Sequence, residues 1–483
     1  MSISAALNNA MTGLTVSGRI AENVSTNIAN AMTQGYARRE VELSQQVLGN
    51  QGAGVTVAGI IRHVDPVLLA NRRLAEADVG QASINSGFLQ TIESAIGLPD
   101  NETSLTGRMS KFDSALIEAA SRPDSTARLQ AVVDSAASVA TQLNNISDTV
   151  QSQRMQADQD IGAAVDFINT SLQQIAELNA RISGISGSAN TSSSLLDQRQ
   201  KMIDGISEYI PVREIPRDRG MVALYSPGGA ILLDGNPVEL GFTSVPMITP
   251  DMVVGGALSG LTINGKSVSS SAEQGPIAGG RLAALFNVRD VQAPEVQTKI
   301  DAVARDLIER FQDSAVDPTL SSGAPGFFTD RGSAFSAADE LGLAGQISVN
   351  ALVDPNQGGA LWRVRDGLGA TSPGATGDAT LLNALSDAFG ATRTPATGGF
   401  IVARSATGIA SDLLSDVSVS LGSAEFKEAY ARAQSETLIG MELENGVDTD
   451  AEMQMLLMVE QAFAANAKVI SAMDQLLQSL LSI

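Results

Sequence analysis

The sequence predicts a mainly α-helical protein with β inserts: a terminal α-helical coiled coil, a helical-bundle domain and a small β-rich outer domain. Three observations predict this fold class. Apolar residues recur every three or four positions at both ends of the chain, and the middle changes between helical and strand periods. Aromatic residues make up only 4% of a chain of 483 residues that is 43% hydrophobic, which favours thin helical layers over one large core.

The first element is an N-terminal helix over residues 1–31 with an apolar seam of period 3.5. The residues around the seam are rich in Asn, Thr and Gly, which have modest or poor helix propensity. A helix of about 45 Å with such weak local preference needs a neighbouring helix to be stable. The seam consists of Ile3, Leu7, Ala10, Leu14, Ser17, Ala21, Val24, Ile28 and Ala31.

The last 31 residues predict the matching helix, with two adjacent apolar rows. A helix that is apolar over two adjacent rows is expected to have more than one partner. We expect it to begin after Gly446, with Thr449 and Glu452 as a capping box and with Asp448 and Asp450 at its positive end. The first row is Met455, Val459, Ala462, Asn466, Val469, Met473, Leu476 and Leu480, and the second is Leu456, Phe463, Ala467, Ile470, Leu477 and Leu481.

Between the ends, residues 75–121 predict two helices. The apolar pattern of residues 129–182 changes phase near 151–160, so it fits either one long helix with a stutter or two helices that meet there. The composition of residues 183–194 is typical of a loop, and residues 195–210 predict a further helix.

The period then changes to that of strands over residues 212–274, and helices are expected again at 281–314 and 423–444. Residues 317–403 are rich in Gly and Pro, with one short helix expected at 379–389. We therefore expect four units. They are residues 1–60 with 441–483 as the coiled-coil core, residues 61–211 with 275–316 and 404–440 as the helical domain, residues 212–274 as the β-rich insert, and residues 317–403 as an irregular insert.

Charge and composition argue against several functions. The formal charge is −22, which repels nucleic acid and anionic membranes. The chain has no cysteine, which excludes disulfides and thiolate metal sites. The first residues lack the features of a secretory signal peptide, and no apolar stretch is long enough to cross a membrane, so we expect no membrane insertion and, if the protein is secreted, another export route.

Two features have a catalytic or ligand-binding interpretation beside a structural one. Residues 260–267, GLTINGKS, satisfy the phosphate-binding pattern G-x-x-x-x-G-K-[ST], but no helix follows at once, so a hairpin turn at Asn264-Gly265 is the favoured interpretation. His63 is the only histidine and follows a strand-like segment with no nucleophile motif nearby. No catalytic residue, cofactor or metal site is predicted, although an enzyme with a ligand site in the β insert or in residues 317–403 remains an alternative.

Both ends of the chain resemble the bacterial flagellar axial proteins of the rod, hook and hook–filament junction. NVSTNIANAMTQGYARREV, residues 23–41, resembles their N-terminal signature N-x-x-N-x-x-T-x-G-Y, although Gln34 stands where proline is frequent. Residues 446–477 resemble their closing helix, with the pattern Q-x-[YF]-x-A-N-A-K-V from Gln461 to Val469. LLDQRQKMIDGISEYI, residues 195–210, is similar to a helix of the junction proteins.

The resemblance implies a non-enzymatic structural adaptor that joins the hook to the filament, with a rod or hook protein as the alternative. It implies self-association in a tube, with the flagellar hook protein on one side and hook-associated protein 3 on the other. It also implies an export chaperone, type III export without a cleaved signal peptide, and an extracellular location at the hook–filament junction. An intramolecular helix pair is the other interpretation of the terminal seams.

The expected assembly interface combines the terminal seams with the signature turn. Asn27 and Asn30 would bond backbone groups, Gly35 would allow a left-handed turn, and Tyr36 would anchor the returning chain. The predicted interface residues are Ile3, Leu7, Leu14, Val24, Asn27, Ile28, Asn30, Gly35, Tyr36, Met455, Val459, Phe463, Asn466, Val469, Ile470, Met473 and Leu476.

Overall fold

The computed structural model describes residues 3–33, 35–48, 51–185 and 189–482, and it is mainly helical with small antiparallel sheets, as the sequence predicts. Its helices are α1 (Ile3–Ala29), α2 (Pro66–Ile96), α3 (Leu105–Ser121), α4 (Thr126–Gly184), α5 (Ala189–Tyr209), α6 (Gly280–Asn287), α7 (Ala293–Phe311), α8 (Trp362–Asp366), α9 (Thr380–Gly390), α10 (Ala406–Glu444) and α11 (Thr449–Leu481). A π-helical turn, Val288–Gln292, joins α6 to α7.

The strands form four small antiparallel sheets in the described residues. The sheets are β1 (Arg39–Leu48) with β2 (Gln51–Arg62); β3 (Arg213–Pro216), β4 (Val222–Tyr225), β5 (Ile231–Asp234) and β6 (Asn236–Pro237); β7 (Leu240–Gly241), β8 (Thr262–Ile263) and β9 (Lys266–Ser267); and β10 (Phe328–Asp330) with β11 (Ile347–Val349). The first pair is a long hairpin that returns the chain from α1 to α2. The sequence pattern indicates only its second strand, the strand-like segment before His63.

The phase change near residues 151–160 lies within one helix, because α4 continues for 59 residues. Two buried polar residues occupy the change of phase. Arg154 donates hydrogen bonds to the carbonyl groups of Arg289, Thr249 and Met252 at 3.0, 3.2 and 2.8 Å. Asp158 pairs with Arg289 at 2.6 Å, and both side chains are fully buried. At the change of phase, Arg154 therefore hydrogen-bonds the β-rich insert to α4.

The core runs through α2 to α10 and includes side chains from both inserts. At its centre five phenylalanine rings pack with centroids 5.3–6.4 Å apart. Edge-to-face and offset arrangements of this kind favour aromatic packing. The rings belong to Phe112, Phe311, Phe327, Phe328 and Phe389. Side chains of residues 317–403 thus pack into the same hydrophobic core as the helices.

Three local predictions are wrong. Residues 189–194 begin α5 rather than extending a loop, because Leu195 packs against Leu178 and Ile182 of α4. Residues 186–188 of the expected loop lie outside the described part of the chain. Helix α10 begins at Ala406, seventeen residues before the predicted start at 423, because its first turns are buried by tertiary packing. The capping box of α11 is replaced by a different cap, described below.

Candidate functional site: the terminal stem and its signature turn

The terminal helices pair with each other. Gly13 in α1 lies against Asn466 in α11. Arg38, in the segment between α1 and β1, binds Glu452 in the first turn of α11, so the two helices run antiparallel. We call α1, α11 and the β1–β2 hairpin the stem, and residues 66–444 the body. The intramolecular helix pair, which the sequence left as an open alternative, is therefore present within one chain.

One side of α11 faces α1 and the rest is free. Met455, Val459, Asn466, Ile470 and Met473 are buried or half-buried on the side toward α1, whereas Phe463, Val469 and Leu476 are 48%, 39% and 50% exposed. On α1, Val24 is buried, and Ile3, Leu7, Leu14 and Ile28 are half-buried. The contact face thus combines residues of both predicted rows rather than following the first row alone.

The free side of α11 is strongly apolar. Nine large apolar side chains of this helix are between 38% and 86% exposed. Large apolar side chains exposed in this number on one helix are typical of interaction sites in soluble proteins. The residues are Met453, Leu457, Met458, Phe463, Val469, Leu476, Leu477, Leu480 and Leu481.

The start of α11 differs from the predicted capping box. Asp448 is the N-cap, and its side chain accepts hydrogen bonds from the backbone N–H groups of Asp450 and Ala451 at 2.9 and 3.0 Å. Thr449 is the first helical residue. Glu452 is 2% exposed and accepts from Nε of Arg38 at 2.7 Å. The box fails because a basic side chain from the signature segment binds Glu452, which fixes the start of α11 against the end of α1.

The signature turn is centred on Asn27, whose side chain is fully buried. Its Oδ1 accepts hydrogen bonds from the Tyr36 hydroxyl at 2.7 Å and the Arg39 N–H at 3.1 Å, and its Nδ2 donates to the Arg39 carbonyl at 2.8 Å. Nδ2 of Asn23 donates to the same carbonyl at 2.7 Å. Two asparagines spaced one helical turn apart therefore hold the backbone of Arg39 where β1 begins.

The turn itself has the predicted chemistry. The Asn30 side chain donates to the carbonyl of Thr26 at 2.9 Å as the helix ends, and Gly35 has φ of 79°. This left-handed conformation costs a residue with a Cβ about 1–2 kcal/mol. The side chain of Tyr36 is half-buried, and burial raises the pKa of its hydroxyl although Arg39 opposes the change, so the group stays protonated and donates. Gln34 lies outside the described residues.

The alternative chemical sites have structural explanations. Asn264 and Gly265 have φ of 50° and 74°, and they form the turn between β8 and β9 that the sequence favoured over a phosphate-binding loop. His63 is 45% exposed and lies 2.9 Å from Glu40 across the hairpin. Within the described residues no group of three or more acidic, His or Cys side chains is placed to hold a metal ion, and no described helix meets the length and hydropathy needed to cross a membrane.

Two family models match the chain. The model described as the flagellar hook-associated protein FlgK helical domain matches residues 89–326, and the model described as the flagellar basal body rod FlgEFG protein C-terminal matches residues 440–483. Over these two ranges the chain is similar to flagellar axial proteins, and the match at residues 440–483 confirms the resemblance seen in its C-terminal sequence.

Several similar proteins are named flagellar hook-associated protein 1. The protein of that name from Salmonella typhimurium is 28% identical over 241 residues, 48% of this chain and 43% of that protein. The Escherichia coli K12 protein is 27% identical over 48% of this chain and 44% of its own length. The match thus spans less than half of these two relatives. The Bacillus subtilis protein is 22% identical over 95% of this chain and 94% of its own.

A solved structure of the flagellar hook junction protein FlgK from Burkholderia pseudomallei is also similar. It covers 54% of this chain and 46% of that chain, with 20% sequence identity and a TM-score of 0.42.

Proposed function

We propose that this chain is a structural adaptor of the bacterial flagellum that joins the hook to the filament by assembling through its terminal helices. The observation that carries the proposal is the free apolar side of α11, where Leu457, Met458 and Leu476 are 56%, 57% and 50% exposed in the single chain. Burying apolar surface stabilises association by roughly 25 cal/mol per Å². A neighbouring stem in a tube covers this side, while α1 already covers the opposite one.

The signature turn supports the same role. It returns the chain alongside α1, because Tyr36 and Arg39 are hydrogen-bonded to Asn27 on that helix. The free side of α11 therefore stays exposed. The stem residues named in the sequence analysis are therefore proposed as two sets. One set, including Val24, Val459 and Met473, holds the helix pair together, and the other, including Phe463, Val469 and Leu476, contacts neighbouring copies.

The proposed partners follow from the class of relative. They are further copies of this chain, the flagellar hook protein, hook-associated protein 3 and an export chaperone that covers the C-terminal helix before secretion. The proposed location is the outside of the cell at the hook–filament junction. The net charge of −22 is compatible with a protein that is soluble before it assembles. No cofactor takes part in this role.

A deletion strain tests the proposal. We expect it to make hooks without filaments and to release flagellin into the medium, and the wild-type gene to restore filaments. A strain that makes no hook contradicts the junction role in favour of a rod or hook protein. A strain with normal filaments contradicts the adaptor role altogether.

Substitution on the free side of α11 tests the surface. Leu476→Glu changes a side chain that is half exposed, so the chain should fold, yet filaments should be lost. Ile401→Glu is the matched control, because Ile401 is a 90% exposed apolar residue of the body. Equal motility of the two strains contradicts the assignment of this surface.

A further inference from the structure

Helix α5 contacts the stem through a compact set of polar bonds. Asp197 accepts a hydrogen bond at Oδ2 from Nη2 of Arg39 at 2.5 Å and at Oδ1 from Nε of Arg62 at 2.6 Å. Arg62 also donates to Oε1 of Gln200, one turn further along α5. The carboxylate of Asp197 thus binds two guanidinium groups, and its side chain is only 17% exposed. Charge-assisted bonds of this kind are stronger than neutral ones and fix direction.

Both arginines are held from the stem side. Arg39 and Arg62 are directly paired across the β1–β2 hairpin, at the end nearest the body. The backbone of Arg39 is bonded to Asn27, and its guanidinium lies over the Tyr36 ring at 4.9 Å from the centroid. The signature turn and the end of β2 therefore present one arginine each to a single acid on α5.

The same helix is anchored to the body by its next acid. Asp204 pairs with Arg72 at 2.8 Å and with Arg73 at 2.7 Å, and both arginines are 2% exposed on α2. Arg199, between the two acids, donates to Asn179 and to the carbonyl of Gly220. Helix α5 is thus rigidly held in the body while Asp197 faces the stem.

A cleft lies at the boundary beside these bonds. With a volume of about 620 Å³, it separates Thr33 and Gly35 of the signature turn from Gly80, Lys201 and Glu208 of the body. The covalent connections are two short segments, residues 63–65 and 445–448. Apolar packing on this side therefore does not fix the angle between stem and body.

We propose that Asp197 is the positioning residue that sets the angle between stem and body, through its bonds to Arg39 and Arg62. With the carboxylate removed, the stem pivots about the two connections into the cleft. The proposal deepens the adaptor function, on which its biological consequence rests, because a fixed angle sets how the body projects from a tube of stems. Its test uses the isolated chain and does not depend on assembly.

The absence of cysteine makes a direct measurement available. Ser25→Cys on α1 and Gln90→Cys on α2 replace one exposed side chain on each side of the boundary, and each cysteine takes a spin label. Pulsed electron paramagnetic resonance on the dilute full-length chain then gives the distribution of distances between the labels. We expect the distribution of the parent to be narrower than that of Asp197→Asn, which should be broadened and shifted. Asp166→Asn, an exposed acid on α4, is the control and should match the parent.

A second variant separates positioning from folding. Arg62→Gln leaves α5 untouched and should also broaden the distribution, and Asp197→Glu should restore part of the narrow component. Helix content by circular dichroism should stay at the parent value in all of them. Should Asp197→Asn unfold the body, Arg62→Gln decides the matter. If Arg62→Gln has a distance distribution as narrow as the parent's, the positioning role of Asp197 is overturned, while the adaptor function is unaffected. If its distribution is broad, the positioning role is supported even when the deletion strain refutes the adaptor function.

Discussion

Gly13 of α1 lies directly against the side chain of Asn466 in α11. A Cβ added at Gly13 would meet Nδ2 of Asn466 at 2.7 Å and Cγ at 2.9 Å. Gly18, on the same helix, has nothing within 4 Å of the same position. The stem helices therefore approach closely at Gly13, where the glycine leaves space for Asn466 although it weakens the helix.

This contact predicts different effects for one substitution at two glycines. Gly13→Val should weaken the α1–α11 pair by about 1–3 kcal/mol because it overpacks the interface. Gly18→Val changes helix propensity equally but meets open space, so it should be neutral or slightly stabilising. Thermal unfolding followed by circular dichroism measures both. Identical melting curves for the two variants would show that the helices do not touch at Gly13.

Substitution of Gly35 is expected to strain the backbone without causing a clash with neighbouring side chains. Its φ is 79°, and nothing lies within 4 Å of an added Cβ. Gly35→Val should therefore strain the signature turn by about 1–2 kcal/mol through its backbone alone, leaving the body stable and abolishing assembly. Gly35→Asn is the control, since asparagine tolerates the left-handed region. Motility of strains carrying each variant is the measurement, and a motile Gly35→Val strain would refute the role of this turn.

The Asn27 network predicts a graded series. Tyr36→Phe removes one hydrogen bond and should cost about 0.5–1.5 kcal/mol, because Oδ1 of Asn27 keeps the Arg39 N–H. Asn27→Ala leaves the N–H of Arg39 and the Tyr36 hydroxyl without their acceptor, so it should cost more, about 1–3 kcal/mol for each buried group left unpaired. Urea unfolding of the full chain gives both values. A larger loss for Tyr36→Phe than for Asn27→Ala would contradict the network.

Asp301 on α7 predicts a pH dependence of the body. Burial raises the pKa of its carboxyl to about 6, although the backbone N–H groups of Ala344 and Gly342 and the side chain of Gln297 oppose the rise. The folded state thus binds this proton more tightly than the unfolded state. The stability that this group contributes is complete below about pH 4 and is lost as pH rises through about 6, by up to roughly 3 kcal/mol.

The measurement compares the free energies of unfolding of the parent and Asp301→Asn in urea between pH 4 and pH 7. The parent should lose stability relative to the variant across this window. Asp166→Asn supplies a matched control with an exposed acid and should follow the parent. A difference between parent and Asp301→Asn that is constant with pH would place the pKa of Asp301 outside the window.

The sequence also predicts that the stem is weakly ordered until subunits meet. Asn, Thr and Gly are frequent in α1, and much of α11 is exposed, so both helices should exchange their amide protons faster in the dilute chain than α4 does. Hydrogen exchange read by mass spectrometry compares the stem with α4 in the single chain and in the assembled tube. Equal protection of stem and α4 in the single chain would overturn the idea that assembly orders the stem.

Local patterns in the sequence determined most of the helices, the hairpin turn at Asn264-Gly265 and the chemistry of the signature turn, but not the starts of α5 and α10. They did so because period, turn residues and side-chain reach act over a few positions. The left-handed Gly35 and the hydroxyl bond of Tyr36 were predictable in this way. The sequence also left one long helix and two shorter ones equally open for residues 129–182.

Only the tertiary structure decided the rest. Which row of α11 meets α1 depends on how two helices cross, and the partner of Glu452 is Arg38, 414 positions away along the chain. The bonds from Asp197 to Arg39 and Arg62 likewise join segments that no local pattern connects. Long-range contacts of this kind are selected by packing and charge in three dimensions, because residues far apart in the chain carry no shared period by which the sequence could reveal them.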